Sequence, residues 1–459
     1  MAFESTAWSA DLAAHEQEHL DEFFDFLRIA SVSALPAHQP EIDRAADWTA
    51  ARMRKAGIPE VEILPTDGKP LVWGRWHVAD DEPTALIYAH YDVQPPDPLE
   101  LWHTPPFEPT VREGRIYARG SADDKHGVLS TILAVEALAR TNGAPPINIV
   151  FFYEGEEEIG SPAVPKIIQA ERERFKCDFV LSADGGQEGE DLPALSVALK
   201  GLAGVQVDVQ TSGTDLHSGM YGATVPNAVQ VLVQLAATLH DAGGRVTVEG
   251  FYDKVKDLSD EERNEIAVVP FDVAEFKAEA QVNGFWGEES YTPRERMWAR
   301  PTLDFNGIWG GFQGAGAKTV TPREAHAKIT CRLVPNQDPN EIPGLIEKHL
   351  RQRCPPGANL TVTPLPGKAN PFAINRDHPG LVAAGSVLKE MYGKDPLIVR
   401  SGGTVPVAEV FQRELGADMI FFGFGLPGSQ IHAPNEWFRV EDLQRSAVGY
   451  CALLSALAR

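Results

Sequence analysis

Short apolar runs alternate with amphipathic helical segments in the first and last thirds of the chain. Four runs have the length and the β-branched and aromatic content of buried strands: TALIYAHYDV (84–93), INIVFFYEG (147–155), CDFVLSAD (177–184) and ADMIFFGFG (417–425). Helix-like patterns cover residues 8–30, 41–57 and 127–140. Because strands alternate with helices, the pattern predicts an α/β domain with a mainly parallel sheet.

The middle of the chain has a different periodicity. The stretches KGLAGVQVDVQTSG and AHAKITCRLVP alternate apolar and polar positions, as half-exposed strands do. The stretches NAVQVLVQLAATLHDAGG and GLIEKHLRQRC are predicted helices. We therefore predict an α+β domain over 198–371, inserted into an α/β domain formed by 1–197 and 372–459.

Length and charge restrict the classes of protein. At 459 residues the chain exceeds the usual size of one hydrophobic core. A net charge of 41 − 65 = −24 argues against nucleic-acid and anionic-membrane partners. No apolar run has the length of a membrane span, the first residues lack the pattern of a secretory signal, and the four cysteines are scattered. These features predict a cytoplasmic protein with reduced thiols.

Candidate metal ligands follow the predicted strands. The first strand leads into His90 and Asp92, which lie two residues apart and face the same way in extended chain. That spacing suits a histidine ligand oriented by a carboxylate. Ligands in open α/β sheets bind outside the carboxyl ends of the strands. We therefore expect the other acids and the histidine that follow strands or turns to collect there: Asp123, Asp124, Glu156, Glu157, Glu158, Asp184 and His432.

Crowded glutamates in EGEEEIGS (154–161) repel one another unless cations neutralise them. One neutral histidine and two or three carboxylates per ion suit Zn²⁺, Mn²⁺ or Co²⁺. A pair of such ions about 3.5–4 Å apart, bridged by water, is a common hydrolytic arrangement. One glutamate of the cluster can then stay unligated and act as a base. The competing interpretation is that these acids are solvated or cap helices, as Asp123 or Asp124 would before Lys125.

Two other motifs favour different chemistry on their own. HEQEH (15–19) matches the zincin signature, but no obvious third ligand follows, and we expect His15 and His19 to lie on a solvated helix border. GFGLPG (423–428) matches GxGxxG, but Pro427 and the following polar residues stand where a helix should begin.

The ordered motifs resemble a known family. HYDVQP, GRIYARGSADDKHG, EGEEEIGS, VLSAD, DLHSGMYG, GAKTVTP, RLVP, SGGTVP and IHAPNEW occur in the order typical of the di-metal dipeptidase, aminoacylase and glutamate carboxypeptidase family. They are most similar to its carnosinase and cytosolic non-specific dipeptidase branch. The resemblance runs from His90 to Glu436. It implies a parallel-sheet metallohydrolase domain, an inserted lid and dimerisation domain, and a homodimer.

The resemblance also implies a role for each matching residue. His90 and Asp184 would hold one metal, Glu158 and His432 the other, and Asp123 would bridge both, through a cis peptide to Asp124. The remaining matches are an orienting carboxylate, a general base, a histidine that reaches the partner's substrate carbonyl, and two groups for the substrate carboxylate: Asp92, Glu157, His217, Arg332 and Thr404. Two divalent ions, zinc foremost, would supply the hydroxide that cleaves a dipeptide.

Three points stay open at the level of sequence. The family usually has glycine directly after the DDK lysine, whereas this chain has His126 before Gly127. The same site could remove the acyl group of N-acyl amino acids or act as a carboxypeptidase. A relative that binds metal without catalysis is the alternative of another class, but such a relative should have lost ligands or the base, and this chain keeps them.

Overall fold

The computed structural model describes Phe3 and residues 6–458. Its α-helices are Ala7–Ala14 (α1), Glu16–Leu27 (α2), Gln39–Lys55 (α3), Lys125–Asn142 (α4), Val164–Ala170 (α5), Ser218–Tyr221 (α6), Ala228–Ala236 (α7), Asp260–Val268 (α8), Val273–Glu279 (α9), Pro293–Ala299 (α10), Ile342–Arg353 (α11), Pro379–Tyr392 (α12), Pro406–Leu415 (α13) and Val440–Leu457 (α14). Within the described residues, no helix is both long and apolar enough to cross a membrane.

The strands are short in most of the chain. They are Glu60–Leu64 (β1), Leu71–Trp76 (β2), Thr84–His90 (β3), Thr110–Arg112 (β4), Arg115–Tyr117 (β5), Asn148–Glu154 (β6), Phe179–Ser182 (β7), Ala194–Leu199 (β8), Gly201–Gln210 (β9), Leu216–His217 (β10), Asp304–Gly310 (β11), Val320–Thr321 (β12), Glu324–Leu333 (β13), Asn359–Pro364 (β14), Phe372–Ala373 (β15), Leu397–Ser401 (β16), Met419–Phe421 (β17) and Trp437–Arg439 (β18).

The chain divides into two compact units. Unit 1 comprises residues 1–197, 374–398 and 407–459, and unit 2 comprises 198–373 and 399–406. The short segment 399–406 thus groups with unit 2, although the sequence assigned it to the last catalytic segment. The functional roles predicted for 1–197, 198–371 and 372–459 stay predictions.

Unit 1 is built on a six-stranded sheet in the order β1-β2-β6-β3-β7-β17. The pairs β6–β3, β3–β7 and β7–β17 are parallel, while β1–β2 and β2–β6 are antiparallel. Every residue of β6 is buried, as expected for a central strand covered on both faces. The predicted α/β class with a mainly parallel sheet is confirmed.

Unit 2 carries an antiparallel sheet in the order β11-β13-β9-β14. Strand β9 alternates buried and partly exposed residues along its length, and α7 and α11 pack on the sheet. The buried face includes Val205, Val207 and Val209 of β9, with Leu232 and Ile346 from the two helices. The inserted α+β domain therefore has its own hydrophobic core.

The N-terminal helical pattern differs from the prediction in two respects. The expected single helix over 8–30 is interrupted at His15, whose backbone leaves the helical region and whose Nδ1 lies 2.8 Å from the carbonyl oxygen of Asp11. The expected solvated position of His19 is wrong, because only 2% of its surface is exposed. Burial, followed by the charge of Arg52, lowers the pKa of His19 to about 4.

Candidate metal centre

The carboxyl ends of the parallel strands bring the predicted ligands of unit 1 together. In the parallel register His90 pairs with Glu154, and Tyr88 pairs with Ser182. The chain beyond these residues therefore leaves the sheet at one edge. Glu157 and Glu158 begin a single 3₁₀ turn that starts three residues after the end of β6, and Asp184 follows β7 by two residues.

Two groups of ligand atoms form at this edge. The first contains His90, Asp123 and Asp184, and the second contains Asp123, Glu158 and His432; within each group the ligand atoms lie within 4.8 Å of one another. Asp123 belongs to both groups, since its Oδ1 lies 3.0 Å from Nε2 of His90 and its Oδ2 lies 2.9 Å from Nε2 of His432. Nε2 of His432 also lies 3.0 Å from Oε2 of Glu158.

Asp92 organises the site from beneath. Its two carboxylate oxygens accept the backbone N–H groups of Glu157 and Glu158 at 3.2 and 3.1 Å. Its backbone oxygen lies 3.1 Å from Nδ1 of His90, and its Oδ1 lies 3.4 Å from the same nitrogen. A carbonyl oxygen can only accept a hydrogen bond, so Nδ1 of His90 carries a proton, and Nε2 is the nitrogen that a metal ion would use.

Glu436 holds the turn that carries Asp123. Its Oε1 accepts the N–H groups of Ala122 and Asp123 at 2.8 and 3.1 Å, and its Oε2 accepts the N–H of Gly120 at 3.0 Å. Arg119 donates from Nη1 to the same Oε2 at 2.6 Å, and both side chains are buried. The Asp123–Asp124 peptide bond is cis, as the family resemblance implied.

Gln94 supports the second group of ligands. Its backbone N–H donates to Oε1 of Glu158 at 3.1 Å, and its Nε2 donates to Oε2 at 2.8 Å. Sequence reasoning gave no role to Gln94 or to Glu436. Both stand inside motifs that carried the family resemblance, HYDVQP and IHAPNEW, and that position was the available signal.

Three acids of the site have shifted pKa values. Burial raises the pKa of Glu157 well above its usual range, and burial with the charge of Asp123 raises the pKa of Asp184 to about 7. Burial acts to raise the pKa of Asp123 as well. Hydrogen bonds from His432 and His90 outweigh that effect and hold the pKa of Asp123 below its ordinary value.

The histidines compensate for this negative charge. Hydrogen bonds to Asp123 and Glu158 raise the pKa of His432 to about 10. Burial alone would lower the pKa of His90, but hydrogen bonds to Asp123 and Asp92 raise it. These shifts favour protonation of both imidazoles, at positions where divalent cations would supply positive charge instead. The donor set of imidazole nitrogens and carboxylate oxygens fits two such ions.

The other predicted site residues lie in unit 2. His217 is exposed on β10, and its Nδ1 accepts the N–H of Gly219. Arg332 of β13 donates from Nη1 to Oγ1 of Thr404 at 2.7 Å. The groups assigned to the substrate carboxylate are therefore in contact with each other inside this unit.

The structure gives no support to HEQEH (15–19) as a metal site or to GFGLPG (423–428) as a dinucleotide site. Among the described residues, neither group of candidate metal ligands includes His15 or His19. The GFGLPG stretch follows β17, and within the described part of the chain the next helix is α14, which begins only at Val440.

Replacement of Glu436 by Gln tests the support of the Asp123 turn. An amide would place its NH₂ group against backbone donors and weaken the buried pair with Arg119. We expect the unfolding free energy of the metal-free protein to fall by about 3 kcal/mol, and its affinity for Zn²⁺ to fall about tenfold. Urea denaturation and competition with a chromophoric chelator measure the two effects.

Glu441→Gln is the matched control, because the side chain of Glu441 is 64% exposed on the following helix. That variant should stay within about 0.5 kcal/mol of the parent protein. A Glu436→Gln protein with unchanged stability and unchanged zinc affinity would contradict the role of Glu436.

Comparisons with known proteins identify the family of this chain. The profile of peptidase family M20/M25/M40 matches residues 86–456. Human Beta-Ala-His dipeptidase is 28% identical, over 91% of this chain and 86% of its own, and the Cys-Gly metallodipeptidase of Schizosaccharomyces pombe is 29% identical, over 94% and 93%. The crystal structure of the M20 family metallo-carboxypeptidase Sso-CP2 from Sulfolobus solfataricus superimposes with a TM-score of 0.84 at 32% identity, covering 96% of this chain and 99% of that one. The chain belongs to peptidase family M20/M25/M40.

Proposed function

We propose that the protein is a di-metal dipeptidase that hydrolyses the amide bond of dipeptides with a free C-terminal carboxylate. The observation that carries this proposal is the pair of ligand groups that share Asp123, with Glu157 directly beside the ligand Glu158. The names of the two curated relatives, both dipeptidases, support the substrate class.

The residues of unit 1 take the metal-binding roles. His90 and Asp184 would hold one ion, Glu158 and His432 the other, and Asp123 would contribute one oxygen to each. When bound, two divalent cations lower the pKa of a water molecule and polarise the substrate carbonyl. Zinc suits the donor set best, and manganese or cobalt are the alternatives.

Glu157 would move the proton. Its backbone is fixed by the carboxylate of Asp92, and its side chain is not a member of either ligand group. A carboxylate oxygen of Glu157 takes a proton from the attacking water and later gives it to the leaving amine. Asp92 keeps both this base and the tautomer of His90 in place.

The residues of unit 2 would recognise the substrate. Arg332 presents a planar guanidinium that suits a carboxylate, and its hydrogen bond to Thr404 orients both groups before the substrate binds. His217 is exposed and would donate a hydrogen bond to the carbonyl oxygen in the partner subunit's site, where charge develops during attack.

The proposed homodimer has a candidate surface. Strand β11 is an edge strand of the unit 2 sheet, and it exposes Phe305, Ile308 and Trp309. An apolar, unpaired strand edge is a ready template for a second chain. The cytoplasmic location stays a prediction from the sequence.

Carboxypeptidase action is the second candidate function. The similarity to the metallo-carboxypeptidase from Sulfolobus solfataricus favours it. Both activities use the same groups for the substrate carboxylate, and they differ in how much peptide precedes the cleaved bond. The non-catalytic alternative is disfavoured because the candidate ligands and Glu157 are all present together.

A substrate panel decides among these activities. The zinc-reconstituted protein should cleave free dipeptides faster than N-acetylated amino acids or longer peptides, and product amino acids are measured directly. Activity should be lost in His90→Ala and kept in His15→Ala. Cleavage of only the acylated compounds, or only of longer peptides, would move the assignment to the corresponding alternative.

The Glu157→Gln substitution isolates proton transfer. The amide is nearly isosteric but cannot accept the proton, so we expect turnover to fall by at least about 10² with two metal ions still bound. Metal analysis and dipeptide hydrolysis are measured on the same sample, with exposed Glu173→Gln as the control. Equal turnover would remove Glu157 from the mechanism.

Mixing two inactive variants tests the shared site. If His217 serves the partner subunit, His217→Ala and Glu157→Gln proteins should regain up to about a quarter of the parent activity when subunits exchange, because one site of a mixed dimer is then intact. Activity is followed after mixing at several ratios. No recovery despite verified exchange would argue for a site within one chain.

A further inference from the structure

The start of helix α4 carries a buried histidine beside the proposed metal ligands. His126 is the second residue of the helix, and only 1% of its surface is exposed. Its ring stacks on Phe438 of β18, with 4.1 Å between the centroids and 29° between the planes. This stacking places the imidazole ring beside the side chain of Asp124.

Two buried polar atoms lie close together at this position. Nδ1 of His126 and Oδ1 of Asp124 each have no hydrogen-bond partner among the described residues, and they lie 3.8 Å apart. A buried polar atom without a partner costs roughly 1–3 kcal/mol. A shift of the ring by about 1 Å would bring the pair to hydrogen-bond distance and satisfy both atoms.

Asp124 connects this pair to the metal centre. Its Oδ2 accepts the backbone N–H of His90 at 3.4 Å, at the long end of hydrogen-bond geometry, and its peptide group joins it to Asp123. The carboxyl group lies over Gly127, where an added Cβ would lie 2.2 Å from Oδ1. Asp124 thus lacks a second anchor, and His126 is placed to provide one.

We propose that His126 is a positioning residue that hydrogen-bonds Oδ1 of Asp124 through Nδ1 and so fixes the Asp123–Asp124 turn for metal binding. The inference rests on the proposed metal-binding role of Asp123 and His90. His126 acts through Asp124 and makes no contact with substrate.

The test compares side chains that keep or remove the polar atom. His126→Phe keeps the ring on Phe438 and removes Nδ1, whereas His126→Asn keeps a polar nitrogen near the position of Nδ1. We expect the affinity of the metal-free protein for Zn²⁺ to fall at least tenfold in His126→Phe and to stay within about threefold of the parent in His126→Asn. Competition with a chromophoric chelator gives both values without any activity measurement.

A second pair guards against a folding defect. His126→Leu is nearly isosteric with His126→Asn and should bind zinc as weakly as His126→Phe, while the thermal midpoints of the metal-free proteins stay close. A double-mutant cycle with Asp124→Ala should show strong non-additivity in zinc affinity, because each substitution removes one partner of the same contact.

The outcomes separate the two proposals. Parent-like zinc affinity in His126→Phe and His126→Leu, or additive losses in the cycle, would overturn the role of His126 and leave the metal site standing. A parent protein that does not bind zinc, manganese or cobalt would overturn the proposed function and this inference with it.

Discussion

Burial of like charges at one edge of a sheet is the constraint on which the site depends. Asp92, Asp123 and Asp124 have little or no exposure, and the half-buried Asp184, Glu157 and Glu158 adjoin them. Such a cluster is stable only if protons, histidinium groups or metal ions neutralise it. In the metal-free protein, the raised pKa values of Glu157, Asp184 and His432 favour protonation, which reduces the negative charge of the cluster. Two divalent ions would neutralise the same charge while the acids stay fully ionised.

The carboxylates of Asp92 and Glu436, beside this cluster, accept hydrogen bonds mainly from backbone N–H groups. Asp92 binds two N–H groups of the glutamate turn, and Glu436 binds three of the turn before Asp124. Carboxylates that accept backbone N–H groups fix loops that have no regular ladder to hold them. His90 ends a strand, whereas Asp123 and Glu158 lie outside the strands and have their backbone held by these carboxylates.

Much of the unit 1 fold followed from pattern alone. The four strands at 84–90, 148–154, 179–182 and 419–421 lie inside predicted runs, because buried parallel strands are continuous apolar segments. Strands β1 and β2 were missed, since the exposed glutamates of β1 and the arginine of β2 break such a segment. The break at His15 also escaped, because a local contact with Asp11 overrides helical periodicity.

The sequence predicted which acids and histidines come together at the sheet edge, but it missed two residues that hold them in place. The carboxyl ends of parallel strands meet at one edge of a sheet, so the sequence alone predicted that His90, Glu158 and Asp184 lie close together. The supporting contacts of Glu436 and Gln94 join positions far apart in sequence, and periodicity carries no information about such pairs. Phe438, the neighbour of His126, is likewise far from it along the chain.

The route of the chain through the two units limits how they can be exchanged. Unit 2 takes the block 198–373 and then the separate segment 399–406. Arg332 belongs to the first piece and Thr404 to the second, so their hydrogen bond joins the two separate segments of unit 2. A contiguous fragment that ends at residue 373 would keep the guanidinium and lose its hydroxyl partner. A graft of unit 2 that keeps this hydrogen bond therefore requires two separate pieces of chain.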